Sequence, residues 1–411
     1  MRIFKVRCVR ISRLDRGFIL LLLLRLNNGF DWQMTKSVWG SVRPVFVLSL
    51  IILAVVSVFP SPVWADYSRS YWLLDHVDGA NRFELNVSVS SSLYDYYVGK
   101  DHRLRSSLDF GKFVTPYALE PVADSLWTVY NDDEDFANGV LMIVHQIPYV
   151  ASAPQKFPVE TIVANEGDCD LFSFMAASVM VTGGLDVVLL YYESEDHMNI
   201  GVSLSQAPRD ARSSVRYFLH NNVRYYVAET TGGNWENGWR VGEYPDSLIG
   251  ASAQVITLED AEQVSPGQVS ASFSALTTSS ITLSASSTLL LEGNSVTLSG
   301  AVSSASLGSV VTIYVKSDNS SWTVLSTVAT DSNGRYSHDW KPKSTGSYSL
   351  RSSWSGDSNH AGADSNVSSV RVLSSSWIYL GITVISLVVV AVVVYAVSKR
   401  VGRADEIPMA Q

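Results

Sequence analysis

Apolar residues recur along this chain with two different spacings, and each spacing predicts a different element. Between residues 83 and 90 apolar and polar positions alternate, which predicts a half-buried strand. Between residues 120 and 147 apolar positions recur every three or four residues, which predicts helices that end before Pro148. A third helix is predicted from Cys169 to the glycine pair at 183–184. Short apolar or alternating runs then predict strands at 185–192, from His197 onward, at 223–228 and at 251–258.

The last third of the chain consists of short alternating runs rich in serine and threonine. Seven such runs, separated by turn residues, predict an immunoglobulin-like β-sandwich. The segment 346–359 resembles the penultimate strand and following loop of prokaryotic surface Ig-like repeats, which usually act as spacers or adhesive units. The predicted strands lie at 281–283, 295–302, 310–316, 323–329, 336–340, 346–354 and 367–373.

The first 65 residues predict a leader. Translation is expected to begin at Met34, where positive residues precede an apolar stretch at 45–59, and Val63-Trp64-Ala65 is a small-x-small cleavage site. An uncleaved N-terminal anchor is the alternative. Residues 66–118 form a strand-rich region that indicates no chemistry; a pro-segment, a lid and a part of the following fold all remain open.

A second apolar run, at 377–397, is long enough to span a bilayer. Lys399, Arg400 and Arg403 follow it, and such residues stay on the cytoplasmic side. The sequence therefore predicts a single-pass cell-membrane protein whose bulk lies outside the cytoplasm. The predicted organisation is leader 1–65, N-terminal region 66–118, α+β domain 119–258, linker 259–280, Ig-like sandwich 281–373, transmembrane helix 377–397 and cytoplasmic tail 398–411.

Composition limits the classes of partner. Apolar residues make up 46% of the chain, charged residues 17%, and the net charge is −9. Nucleic acids and anionic membrane surfaces bind dense basic patches, and no basic run of that density occurs, so no nucleic-acid partner is expected. The expected partners are a protein or peptide substrate, the membrane through the C-terminal helix, and conceivably other surface proteins.

The two cysteines differ in expected fate. Cys8 leaves with the leader, so Cys169 is the single thiol of the mature chain. Residues 159–168 are expected to form a loop that ends in Gly167-Asp168, with Asp168 as the N-cap of the helix that begins at Cys169. A helix N-terminus favours negative charge, so a thiolate is expected at Cys169. A buried, inert thiol is the alternative.

Two more residues complete a possible triad. His197 is the first residue of a predicted strand, and its side chain is expected to point away from the apolar face of that strand. Glu229-Thr230-Thr231 ends the next predicted strand. The order Gly167-Asp168-Cys169, His197, Glu229 resembles the transglutaminase-like superfamily of papain-type cysteine enzymes, over about residues 119–250. That family usually carries Asp where Glu229 stands, so either the strand sits farther away or the triad is not competent.

The resemblance implies an α+β papain-like domain and attack of the Cys169 thiolate on an amide carbonyl, giving an acyl thioester. His197 would move the proton, Glu229 would orient the imidazole, and the Cys169 amide with the Trp127 indole would bind the oxyanion. Trp235 and Trp239 are expected to line the substrate site. Water or an amine would complete the reaction, and hydrolysis is favoured. The rival hypothesis is a catalytically inactive copy of the fold used for surface binding or adhesion.

No metal or cofactor is expected. The other histidines lack metal-ligand spacing, and the acidic run 131–135 is interpreted as a solvated helix start rather than a cation site. Motifs for phosphate binding, zinc proteases and serine hydrolases do not occur in the sequence.

Overall fold

The computed structural model describes residues 67–151, 155–318, 320–376, 383–391 and 393–394. The predicted leader and the predicted start at Met34 lie outside these residues, as does most of the predicted span at 377–397. Within the described residues, no helix is both long and apolar enough to cross a bilayer. The α-helices between residues 67 and 373 are α1 Ser91–Val98, α2 Glu120–Trp127, α3 Asp133–Val144, α4 Pro158–Ala164 and α5 Cys169–Thr182.

The strands are numbered in chain order. They are β1 Tyr67–Leu74, β2 Arg82–Val89, β3 Asp186–Tyr192, β4 His197–Ser203, β5 Tyr217–His220, β6 Val223–Ala228, β7 Gln254–Ile256, β8 Ser270–Ser272, β9 Ser284–Ala285, β10 Leu289–Leu291, β11 Val296–Ala301, β12 Val310–Ser317, β13 Thr323–Ala329, β14 Arg335–Trp340, β15 Gly346–Gly356, β16 Ala361–Asp364 and β17 Ser368–Leu373.

A five-stranded antiparallel sheet with the order β5-β6-β4-β3-β7 carries the α+β domain. The apolar side chains of β4, Met198, Ile200 and Val202, are fully buried in the main core, against which α5 also packs. The opposite face is not left to solvent, because Val188 and Leu190 of β3 belong to a second, smaller core there. Successive side chains at the centre of this sheet therefore point alternately into two different cores.

The N-terminal region belongs to the same fold. Strands β1, β2 and β8 form a three-stranded sheet, and its residues Leu73, Leu85 and Ala271 are part of the main core. β8 comes from the segment expected to be a linker, so residues 270–272 are structural rather than connecting.

The segment expected to be a loop before Cys169 contains a helix, so that expectation is wrong for residues 158–164. Pro158 occupies the first turn of α4, where its missing N–H costs nothing. The Glu160 carboxylate accepts the backbone N–H of Phe157 at 2.9 Å, and Asn165, in the left-handed conformation, ends the helix.

The predicted Ig-like sandwich is confirmed. One sheet has the order β10-β17-β15-β12-β13, with β16 joined to β15, and the other has the order β14-β11-β9. Their inner faces enclose a separate core that includes Leu298, Ile313 and Leu350. The chain is thus a mixed α/β unit followed by an all-β Ig-like module.

The Ig-like module packs directly against helix α1. Arg351 of β15 is fully buried and its Nη2 lies 2.9 Å from Asp95 Oδ2. Asp364 of β16 accepts the backbone N–H of Ser92 at 2.7 Å. These contacts seat the module on the α/β unit, which a flexible spacer would not require.

Candidate active site

Cys169 begins helix α5, as predicted. The Asp168 carboxylate caps the helix by accepting the N–H of Leu171 at 3.3 Å. The preceding loop is held by two backbone hydrogen bonds, from Val150 N–H to Gly167 O at 2.7 Å and from Gly167 N–H to Pro148 O at 3.2 Å. These bonds fix residues 148–150, which follow helix α3, beside the loop that leads to the cysteine.

The thiol of Cys169 is nearly sealed, at 7% exposure. Its Sγ donates to Asp170 Oδ1 at 3.6 Å, and the backbone N–H of Met198 donates to the sulfur. Burial and the negative charges of Asp170 and Asp168 raise the pKa of the thiol to about 12. This pKa contradicts the prediction of a resting thiolate, because burial and these charges outweigh the hydrogen bond from Met198.

Asp170 is the neighbour that most affects this thiol after burial. Burial and the charge of Asp168 raise the pKa of Asp170 itself to about 6. The Nε2 of Gln155 donates to its Oδ2 at 2.9 Å and fixes the carboxyl group beside the sulfur. The motif Gly167-Asp168-Cys169 ends before Asp170 and therefore did not indicate this role.

His197 and Glu229 meet as predicted from their positions at the strand ends. His197 Nε2 lies 2.9 Å from Glu229 Oε2, and the carboxylate is completely buried. Asn199 Nδ2 donates to the same oxygen at 3.1 Å, while the N–H and hydroxyl of Thr231 donate to Oε1 at 2.9 and 2.6 Å. Four donors on one buried carboxylate keep it ionised and hold it still.

Strand register explains why a glutamate reaches the histidine. Ile200 pairs with Ala228, so continuing the register by one residue places Glu229 opposite Asn199. His197 is then the diagonal neighbour, about 7–8 Å away between Cα atoms. The extra methylene of glutamate spans this diagonal, and Asn199 holds the carboxylate on the way. A glutamate at position 229, where the transglutaminase-like pattern usually has aspartate, is therefore compatible with an intact His197–Glu229 pair.

The electrostatics of the pair follow from its contacts. Burial lowers the pKa of His197, but the hydrogen bond and charge of Glu229, with the charge of Asp170, raise it above its ordinary value overall. Burial raises the pKa of Glu229, whereas His197 and Thr231 lower it by more. With Nε2–H given to Glu229, the Nδ1 atom keeps its lone pair and is the atom able to accept a proton.

The sulfur and the imidazole are neighbours without a direct hydrogen bond. Met198, whose N–H touches the sulfur, directly follows His197, and Asp170 acts electrostatically on both Cys169 and His197. No hydrogen bond joins Cys169 to His197 among the described residues. The structure thus brings together His197 and Glu229 of the predicted triad, and Cys169 contacts the residue that follows His197.

Two further contacts position the segments that carry Cys169 and Glu229. Ser173, one turn after Cys169 on α5, hydrogen-bonds Thr230 through their hydroxyls at 2.9 Å. His145 directly follows α3 and its Nε2 lies 3.0 Å from the backbone oxygen of Glu229. Burial lowers the pKa of His145, so its neutral Nε2–H is the donor. Sequence analysis missed His145, because nothing near it in the chain indicates its distant partner.

A cavity of about 560 Å³ adjoins His197 and is lined by residues 145–149 and 231–233. Neither Trp235 nor Trp239, the residues expected to line the substrate site, is among the residues that line this cavity. The ring of Trp235 lies instead under the guanidinium of Arg82, at 5.8 Å. Tyr149 does line the cavity. Burial is the largest cause that raises the pKa of Tyr149, so its hydroxyl stays protonated.

The predicted oxyanion role of Trp127 is wrong. Its indole N–H donates to Gly183 O at 3.0 Å, at the C-terminal end of α5, and its ring stacks on Phe136. Cys169 starts this 14-residue helix, so the indole lies about 20 Å from the thiol.

Comparison with known proteins supports the Ig-like module and little else. A family model described as a bacterial Ig domain matches residues 278–351. No curated protein matches the chain.

Several solved structures are similar at low identity. A red sea bream transglutaminase shares 9% identity over 74% of this chain and 62% of that chain, with a TM-score of 0.20. A CARDB domain from Pyrococcus furiosus, in complex with di-metal ions, shares 11% identity over 24% of this chain and 95% of that chain, with a TM-score of 0.17. A sporulation control protein from Bacillus subtilis shares 9% identity over 27% and 55%, with a TM-score of 0.18. TM-scores this low carry no argument about fold or function.

Proposed function

We propose that the chain is a transglutaminase-like cysteine enzyme that acts on amide bonds of proteins or peptides through an acyl thioester. The observation that carries the proposal is the buried Glu229 carboxylate, whose four donors include His197 Nε2 at 2.9 Å. A fully buried carboxylate is costly unless it is paired. A role in orienting an imidazole beside a cysteine would explain why this carboxylate is buried.

The proposed chemistry starts from a neutral thiol. Because the pKa of Cys169 is about 12, its proton must pass to His197 Nδ1 as the sulfur attacks the carbonyl carbon. The imidazolium, stabilised by Glu229, then gives this proton to the departing amine as the C–N bond breaks. The acyl thioester is finally cleaved by water, or by an amine that His197 deprotonates. Hydrolysis remains the favoured outcome.

The developing oxyanion needs two donors. The N–H of Cys169 is one, since the first amides of a helix have no partner within the helix. With Trp127 excluded, we propose the hydroxyl of Tyr149 as the second, because Tyr149 lines the cavity that adjoins His197. Replacing Tyr149 by Phe should then lower kcat by about tenfold to a hundredfold while KM changes little.

The second candidate function is a surface-binding protein that uses an inactive copy of this fold. Two observations favour it: the raised pKa of the Cys169 thiol, and the lack of a hydrogen bond between Cys169 and His197 in the described part of the chain. A binding protein would keep Glu229 and His197 for stability alone.

The deciding experiment compares wild type with Cys169→Ala and Glu229→Gln, using a peptide-amide library and an activity-based acylating probe. The enzyme hypothesis expects probe labelling and ammonia or amine release from wild type, none from Cys169→Ala, and rates about 100-fold or more lower in Glu229→Gln. Cys169→Ser is the matched control, because it preserves the packing of the helix start. Equal labelling of folded wild type and Glu229→Gln would favour the binding protein.

We also propose that the chain is anchored in the cell membrane with its bulk outside the cytoplasm. The support is the apolar run 377–397 followed by three positive residues. Protease added to intact cells should remove the α/β unit and the Ig-like module but spare a C-terminal tag. Recovery of untreated full-length protein in the soluble fraction would contradict this topology.

A further inference from the structure

Three side chains from distant segments converge at the N-terminal end of helix α3. His76 lies between β1 and β2, Asp135 in the first turn of α3, and Asp210 in the connection after β4. His76 Nε2 lies 3.5 Å from Asp135 Oδ1 and 3.3 Å from Asp210 Oδ2. The three atoms lie within 4.8 Å of one another.

Two of these atoms are buried oxygens that accept no hydrogen bond. Asp135 Oδ1 and Asp210 Oδ2 are both sealed from solvent, and no donor reaches either with hydrogen-bond geometry in the described residues. Arg209 approaches Asp135 through the other carboxylate oxygen, at 3.3 Å, and its Nε stays 3.9 Å from Asp210 Oδ2. Sealed carboxylate oxygens without donors are costly unless a cation pairs with them, and that cation is either a protonated His76 or a metal ion that all three side chains bind.

The other acids of the run 131–135 already have partners. Asp132 caps α3 and binds Arg209, Asp133 accepts the N–H of Ser205, and Glu134 accepts the N–H groups of Arg209 and Asp210. Asp135 is therefore the member of the run that turns an unsatisfied oxygen toward His76. This differs from a solvated helix start.

We propose that His76, Asp135 and Asp210 bind one divalent metal ion of the Zn²⁺ class. Ligand atoms at about 2.1 Å from a tetrahedral ion lie about 3.4 Å from one another, close to the 3.3 and 3.5 Å separations from the imidazole. One imidazole nitrogen with two carboxylate oxygens suits zinc better than calcium or magnesium, which prefer oxygen ligands only. Water completes the fourth position.

The ion is structural rather than catalytic. Asp135 and His145 stand ten residues apart along α3 and its end, so about 15 Å separates the ion from the imidazole that holds Glu229. The metal joins the β1–β2 turn to α3 and to the connection after β4. It thereby clamps the N-terminal sheet onto the α/β domain.

The test is Zn²⁺ titration by calorimetry of the full-length, chelator-treated protein in the Cys169→Ala background, which removes a competing thiol. We expect one equivalent to bind, thermal unfolding to shift upward with Zn²⁺, and Ca²⁺ and Mg²⁺ to have at least tenfold weaker effects. Asp210→Asn, which keeps the side-chain shape, and His76→Ala should each weaken Zn²⁺ binding at least tenfold. His338→Ala, in the Ig-like module, is the matched control and should bind as the parent does.

Two results would overturn the site. One is the absence of Zn²⁺ binding by a protein whose circular dichroism shows it to be folded. The other is undiminished binding in both His76→Ala and Asp210→Asn. Because the readout is metal affinity, neither result depends on whether the chain is an enzyme.

Discussion

At the scale of single residues, the proposed nucleophile is governed by its immediate neighbours rather than by the helix it begins. The carboxyl of Asp170 is the hydrogen-bond acceptor at 3.6 Å from the sulfur, and it adds negative charge to a buried thiol. A helix N-terminus contributes a partial positive charge of about half a unit, which a full carboxylate charge at close range can exceed. Burial, the largest cause, and this charge together keep the thiol neutral.

Replacing Asp170 by Asn should make Cys169 more reactive. The substitution removes a charge that raises the pKa of the thiol, so the thiolate fraction at pH 8 should rise by about tenfold or more. The rate of iodoacetamide labelling measures this fraction. Asp196→Asn is the control, since Asp196 is exposed and is not among the causes of the Cys169 shift. Equal rates for the two variants would show that burial alone holds the thiol neutral.

The pH profile of the proposed reaction is set by His197. Only the neutral imidazole can take the thiol proton, so kcat/KM should rise with pH through the pKa of His197. Glu229 and Asp170 hold that pKa above its ordinary value of about 6.5, so the rising limb should lie above pH 6.5. In Glu229→Gln the limb should move to lower pH, because a stabilising charge is lost. A limb near pH 4 would instead indicate a preformed thiolate–imidazolium pair.

At the scale of elements, the site depends on three segments fastened to one another. The β4–β6 register sets His197 and Glu229 at a diagonal, the Ser173–Thr230 bond ties the end of β6 to α5, and His145 holds the Glu229 main chain from the end of α3. Gly238 packs so closely that an added Cβ would lie 2.3 Å from His145 Nδ1. The imidazole of His145 is therefore held by close packing against Gly238 as well as by its hydrogen bond.

Replacing His145 by Ala should lower kcat by about tenfold, the equivalent of one lost hydrogen bond of about 1.4 kcal/mol, with little change in KM. His145→Gln should restore much of the rate, because its amide can donate from nearly the position of Nε2. The pH limb assigned to His197 should shift in the Ala variant and return in the Gln variant. Loss of rate with an unmoved limb would indicate a merely structural defect.

At the scale of the whole molecule, the Ig-like module is joined to the α/β unit by an ion pair between a buried arginine and a partly exposed aspartate. The Arg351 guanidinium is fully buried, pairs with Asp95 and lies 4.4 Å from the ring centroid of Trp322. Breaking a buried pair by removing one partner is costly, whereas exposed pairs contribute little. The interface is thus expected to add to the stability of the module.

Asp95→Ala should destabilise the protein by about 2 kcal/mol or more, through the loss of a hydrogen bond to a buried charge. Urea unfolding of the full chain, followed by tryptophan fluorescence, measures the change. Arg103→Ala removes an exposed ion pair with Asp101 and serves as the control, with an expected effect within about 0.5 kcal/mol. Equal midpoints for both variants would mean that the interface contributes no net stability.

The site could be predicted in part. Asp168 as the cap, Cys169 as the helix start, and His197 and Glu229 at strand ends all follow from local pattern, which neighbouring residues alone determine. Trp127 could not be assigned correctly, because its distance from the thiol depends on which end of α5 it packs against.

Sequence alone determined where most of the helices and strands lie and that an Ig-like sandwich ends the folded part, because spacing, caps and turns act over a few residues. Tertiary structure decided the state of the thiol, the role of His145 and the meeting of His76 with Asp135 and Asp210. Each of these depends on burial and on charges from segments more than 50 residues apart, or on the direction in which adjacent side chains turn. The order of residues along the chain determines none of these by itself: neither burial, nor the charges of distant segments, nor the directions of side chains.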